Sequence, residues 1–346
     1  MSGQGDRGNA PRAVLFGTSG PNLTDWERAF FRNADPLGFI LFRRNVETPE
    51  QIRALTQALR EAVGRADAPI LIDQEGGRVQ RLRPPHWPDL PPMGQHGALA
   101  LVDPEAAQRS VWLQARLIAE TLLPLGLDVD CLPCVDLLHP QSHSVIGDRS
   151  FGSDTGLVSA LGQAACSGLR AGGVSPVVKH MPGHGRATVD SHLSLPRVET
   201  AHEELAQTDF VPFQALADEH WGMTAHIVYS DLDAERPATQ SPRIIEEIIR
   251  KEIGFDGLLV SDDITMEALA GSQAERAAAS LAAGCDLVLH CSGDQAEMQE
   301  VAGVVDAMTA SCQARFARAS AAVRSPESFD RDEGLDELRR LLKAAT

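Results

Sequence analysis

The stretch KHMPGHGRATVDSHLSLP, residues 179–196, concentrates groups that could do chemistry: two glycines and two prolines bracket three histidines and an aspartate. It is too polar and too broken for a helix. Asp190 and His192 stand two apart. In an extended segment both side chains project to the same side, so the carboxylate can fix the imidazole tautomer and raise its basicity. The acid/base member of a hydrolytic site requires such a pair. A second centre is Asp262, which follows the apolar residues of GLLVSDD; at a strand end its carboxylate is held rigidly enough to serve as a nucleophile. Its neighbour Asp263 points the other way if the strand continues, and is expected to cap a helix near Thr265, Met266 and Glu267. Metal binding by His180, His184 and His192 is a rival, since imidazole is the commonest metal ligand. The HxxxH motif needs helical spacing, however, and Pro182, Gly183 and Gly185 oppose a helix. The expectation is therefore a site with no metal and no cofactor. The two glycines also give the loop from 182 to 191 backbone freedom, so it is expected to close over substrate.

A scaffold must bring these groups together. Short runs rich in Val, Ile and Leu fall at 13–17, 38–42, 69–73, 127–133, 175–180, 222–229, 257–263 and 286–291. Longer amphipathic segments separate them. Thr24 with Glu27 and Thr48 with Gln51 predict capping boxes, while Asp103-Pro104 and Ser241-Pro242 place an N-cap residue before proline. Over about 104–123, Ala107, Val111, Ala115, Ile118 and Leu122 repeat at helical spacing and predict one buried stripe. Eight buried-type strands alternating with helices, with no break in composition, predict the α/β class: a single-domain (β/α)8 TIM barrel over residues 12–310. A flexible N-terminus, 1–11, would precede it, and helices over 311–346 would pack on its outside.

In such a barrel the chemistry sits at the C-terminal ends of the strands. Asp73 ends the third run, and Arg81 follows it in DQEGGRVQR. Arg149 lies in GDRSFG after the fourth, Lys179 and His180 end the fifth, and His226 falls within the sixth. Three of them also have a structural alternative: Asp73 as a loop cap, Arg149 paired with Asp148, Lys179 paired with a core carboxylate. His226 can either line a pocket or fill the barrel interior, and His290 reads as structural.

The 31 Lys and Arg against 48 Asp and Glu, a formal charge of -17, oppose phosphate backbones and anionic membrane surfaces. Neither nucleic acid nor membrane is an expected partner. The start MSGQGDRGNAP has no apolar run of signal-peptide length, and the expected location is the cytoplasm. Cys166, Cys285, Cys291 and Cys312 fall in apolar patterns typical of buried thiols, and the Cys131-x-x-Cys134 pair lacks a second pair to complete a zinc site.

The segments IDQEGGRVQRLR, VIGDRSFG, KHMPGHGRATVDSH and GLLVSDDITMEAL, in that order, resemble the hallmarks of glycoside hydrolase family 3, in particular its short bacterial β-N-acetylhexosaminidases. Met181 stands where that family usually has phenylalanine, an apolar exchange. The resemblance implies that Asp262 is the nucleophile and that His192, with Asp190, replaces the usual carboxylic acid. It further implies that Asp73, Arg81, Arg149, Lys179 and His180 bind the sugar; His226 joins this set as a pocket-lining candidate. The implied partner is a small carbohydrate, a GlcNAc-containing muropeptide or disaccharide, and the implied reaction removes its terminal β-linked N-acetylglucosamine with retained configuration, in peptidoglycan recycling. Phosphorolysis, β-glucosidase activity and a non-catalytic sugar-binding barrel are the alternatives.

Overall fold

The computed structural model describes residues 10–191 and 194–343. Its centre is a parallel sheet of barrel strands: Arg12–Gly17, Pro36–Leu41, Ile70–Ile72, Val129–Asp130, a divided fifth strand, Trp221–Thr224, Leu258–Asp263 and Leu287–His290. The first strand pairs with both the second and the last. The fifth is split into Ser175–Pro176, paired with the fourth strand, and Val178–Met181, paired with the sixth. Bonds from Val177 N to Leu132 O and from Lys179 N to Pro133 O carry the fourth-strand contact up to Lys179 and close the ring. These strands are almost wholly buried apolar residues, as expected of a sheet covered on both faces.

The helices begin where side chains can satisfy their first amides. Thr24 and Glu27 form a complete capping box, and Asp103 accepts from Ala106 N ahead of Pro104. The Thr48 box is only half made. Thr48 accepts from Gln51 N, but Gln51 Oε1 reaches one residue further back to Glu47 N and its amide donates to Asn45 O. Ser241 Oγ receives Ile244 N. In helix Pro104–Leu122 the predicted stripe is buried throughout. Helix Arg331–Lys343 packs against it, with Arg109 and Glu337 joined at 2.8 Å. Among the described residues, no helix is long and apolar enough to cross a membrane.

Two further expectations need correction. The sixth barrel strand stops at Thr224; Val228–Tyr229 instead pairs with Arg197–Val198, which leaves His226 between the two strands. Residues 265–267 form turns rather than a helix. The next helix, Gln273–Ala283, starts at the stronger Ser272 and Glu275 capping box. Asp263 ties the turn instead, accepting Thr265 N at 3.0 Å, Thr265 Oγ1 at 2.6 Å and Cys291 N at 3.2 Å.

Candidate active site

At the C-terminal ends of the strands lies a cavity of about 320 Å³, lined by Phe42, Asp73, Arg78, Arg81, Val145, Arg149, Lys179, His180, Met223, Asp262, Asp263 and Met266 among others. A wider groove of about 660 Å³ is lined by Arg53, Arg60, Arg65 and Leu123–Gly126. These residues precede the third and fourth strands, on the face where barrels carry no catalytic groups.

The floor of the cavity is an alternating chain of charge. Arg81 Nη2 donates to Asp73 Oδ2 at 2.9 Å, and Lys179 Nζ bridges Asp73 Oδ1 at 2.9 Å and Glu75 Oε1 at 2.8 Å. Arg149 then grips Glu75 with two parallel bonds of 2.9 and 2.8 Å. Arg149 is therefore paired with Glu75 rather than Asp148, which binds Arg78. Burial opposes the Asp73 charge, but Lys179 and Arg81 hold its carboxyl well below the usual range. Burial likewise opposes the Glu75 charge, and Arg149 with Lys179 keeps that group at about 2.

Glu75 was not singled out by sequence reasoning. It is delivered by a tight hairpin, Gln74–Gly76 against Val79–Gln80. Gly76 and Gly77 turn the chain at φ 107° and 55°, and a Cβ on Gly76 would meet Pro91 O at 2.3 Å. Gln114 Nε2 then holds Glu75 O at 3.0 Å. The readable signal is an acidic residue immediately before Gly-Gly at a strand end. Glu75→Gln leaves two buried cations short of a carboxylate, and is expected to destabilise the protein by about 3–5 kcal/mol at pH 7. Because the folded-state value lies below the ordinary 4.5, this contribution is complete above that value and fades as pH falls toward about 2. Denaturant unfolding of both proteins across that window checks the magnitude and the convergence.

Asp262 lies at the end of the seventh strand and lines the cavity; its Oδ1 accepts Asp263 N at 2.8 Å. His180 lines it from the fifth strand. His226 does not line it. Its ring is buried, with Nδ1 2.8 Å from Thr239 Oγ1 and Nε2 3.0 Å from Asp263 O, and burial lowers its pKa. It fills the interior and braces the backbone beside Asp262, because both nitrogens are already engaged.

Behind His180 sits Asp136, a second residue not singled out by sequence reasoning. It accepts His180 Nδ1 at 2.7 Å, His180 N at 3.2 Å, His184 N at 2.6 Å and Cys134 Sγ at 3.2 Å. Burial opposes its charge, but the His180 imidazole and the donors around it keep the carboxyl well below the usual range. Cys134, Asp136 and His180 are close enough to share a cation, but hydrogen bonds already join them and burial pushes the Cys134 thiol well up.

The histidine loop is fastened at its stem. Tyr229 Oη donates to Gly183 O at 2.7 Å, and Arg186 Nε donates to Asp209 at 2.7 Å. A Cβ on Gly185 would lie 1.9 Å from Leu137 O, so this glycine serves close packing rather than freedom. Any hinge in the expected 182–191 loop therefore lies beyond Ala187, whose O accepts His143 N. His184 Nε2 lies 3.2 Å from Ser191 Oγ; burial keeps His184 neutral, near a pKa of 4. Asp190 is half-buried. His192 lies outside the described residues.

The family model for the glycosyl hydrolase family 3 N-terminal domain matches residues 24–325. The chain belongs to glycoside hydrolase family 3. A β-hexosaminidase of Stenotrophomonas maltophilia is 40% identical over 80% of this family 3 chain and 83% of its own length. One from Alkalilimnicola ehrlichii is 41% identical over 82% and 81%. NagZ of Neisseria gonorrhoeae, solved in complex with N-trifluoroacetyl-D-glucosamine, superposes with a TM-score of 0.84 at 30% identity, over 98% of this chain and 99% of that one. This family 3 protein is thus a glycoside hydrolase on a single-domain barrel, with hexosaminidases as its relatives.

Proposed function

We propose that the chain is a retaining exo-β-N-acetylglucosaminidase, and one observation carries the proposal: Asp262 faces a small cavity whose floor is a chain of paired charges. At about 320 Å³ the cavity is at the lower end of small-ligand sites, roughly 300–1,000 Å³, which suits one terminal sugar. Asp73, Arg81, Arg149 and Lys179 offer charge-assisted hydrogen bonds to hydroxyls, about twice as strong as neutral ones. Their mutual pairing fixes them before substrate arrives, which lowers the ordering cost of binding. The apolar wall of Phe42, Met223 and Met266 supplies a surface for ring carbons or a methyl group. The gonococcal relative, solved with an N-acylglucosamine analogue, supports an N-acetylated sugar.

In this reading Asp262 attacks the anomeric carbon while His192, oriented by Asp190, protonates the leaving oxygen. The leaving sugar departs and a covalent glycosyl ester remains on Asp262. His192 then takes a proton from water, whose oxygen displaces the ester and restores the original configuration. The natural substrate is a GlcNAc-terminated muropeptide fragment met in the cytoplasm during peptidoglycan recycling. An aryl N-acetyl-β-glucosaminide should be hydrolysed at least about 100-fold faster than the aryl β-glucoside, since a site built around a polar substituent rejects analogues lacking it by large factors. The free sugar should be the product even in phosphate buffer. Equal rates would favour a β-glucosidase, a glycosyl phosphate would favour phosphorolysis, and no turnover of either would favour a binding barrel.

A further inference from the structure

Asp136 is wholly buried, carries four hydrogen bonds and does not line the cavity, so it does not touch substrate. Its two oxygens divide their work. Oδ1 receives the backbone amides of His180 and His184, which sets the turn where the fifth strand enters the histidine loop. Oδ2 receives Nδ1 of His180 at 2.7 Å and the Cys134 thiol. A carboxylate accepts only, so Nδ1 must carry the proton. The remaining polar atom of the ring, Nε2, belongs to the side chain that lines the cavity.

We infer that Asp136 is a positioning residue of the active site, holding His180 in the Nδ1–H tautomer so that Nε2 meets a sugar hydroxyl. This rests on the reading of the cavity as the sugar site. Asp136→Asn is a selective probe. The amide oxygen can still accept the two backbone amides, which preserves the loop stem. The NH2 group now faces His180 Nδ1 and, as a donor, demands the opposite tautomer. Nε2 then carries the proton and faces the sugar as a donor where an acceptor was built.

Asp136→Asn is expected to lower kcat/KM roughly 100-fold, at the upper end of what loss of a group orienting a histidine costs. Aryl and disaccharide substrates should suffer equally, because the sugar and not the leaving group is misread. His180→Gln should cause a comparable loss, and the double variant should be no worse than His180→Gln alone. Multiplying losses would show that Asp136 does not act through His180 and would overturn the inference. Nitrogen NMR of the intact, histidine-labelled enzyme, with His180 assigned by its absence in His180→Gln, gives a second reading that needs neither Asp136→Asn nor substrate. His180 Nδ1 should be protonated in the wild type, and Nε2 should shift when a sugar inhibitor binds. A bare Nδ1 overturns the inference even if Asp136→Asn fails to fold. Wild-type inactivity toward the aryl glycoside would sink the functional reading instead, and the tautomer would still judge Asp136.

Discussion

Asp262→Asn is expected to lower kcat by about four orders of magnitude or more on aryl and disaccharide substrates alike, the scale seen when a covalent nucleophile is removed. The amide keeps the volume and the bond from Asp263 N, so binding should change little and the loss should fall on kcat rather than KM. Leaving-group quality should not soften the loss, because no ester forms with any substrate. The adjacent carboxylate cannot substitute. Asp263 is tied by both oxygens to Thr265 and by one also to Cys291 N, and its own carbonyl accepts from His226 Nε2 at 3.0 Å. Asp263→Asn should therefore disturb the turn and the stability more than the chemistry. Steady-state kinetics of the two variants, side by side, check the assignment.

His192→Ala is expected to show a split that Asp262→Asn lacks. A general acid matters in proportion to how badly the departing oxygen needs a proton, and its removal typically costs 10²- to 10⁴-fold, roughly. Glycosylation by an aryl glycoside should survive in part, while a disaccharide should lose most of its rate. Deglycosylation also loses its base, so the glycosyl-enzyme should accumulate after a burst of aryl alcohol. Azide, an anionic nucleophile that needs no base, should then accelerate turnover and leave as the β-glycosyl azide. Asp190→Ala should behave as a milder copy, having lost the group that orients the imidazole. Equal slowing of both substrates with no azide effect would make His192 a binding residue.

The barrel was legible because strands buried on both faces are near-continuous apolar runs, and the capped helices between them announce their starts. The division of the fifth strand at Val177 was not, since it depends on bonds from Val177 to the fourth strand, which no local pattern encodes. The place of His226 was hidden for a similar reason: its partner Thr239 lies beyond the strand, in the short 3-10 helix Ala238–Gln240. Within the site, Asp73, Arg81, Arg149, Lys179, His180 and Asp262 do line one cavity. Their partners were harder to see. Glu75 gains its meaning from Arg149, 74 residues away, and Asp136 from His180, 44 residues away. Glu75 stands between Asp73 and Arg81, and Asp136 six residues past the fourth strand; in both cases the fold, and not the local sequence, supplies the partner that gives the carboxylate its role. Gly185 shows the reverse case, where a glycine read as freedom is a glycine of close contact.

The central claim, a covalent intermediate on Asp262, is tested most directly by trapping it. A 5-fluoro N-acetylglucosaminyl fluoride slows both steps, and its good leaving group favours the first, so the ester should accumulate. Mass spectrometry of the digested enzyme should find one added fluorosugar, on the peptide containing Asp262, with fragmentation placing it on that residue. A label on Asp263, or turnover of the reagent with no labelled enzyme at any time, would contradict the account; the latter would point to attack by the substrate's own acetamido group.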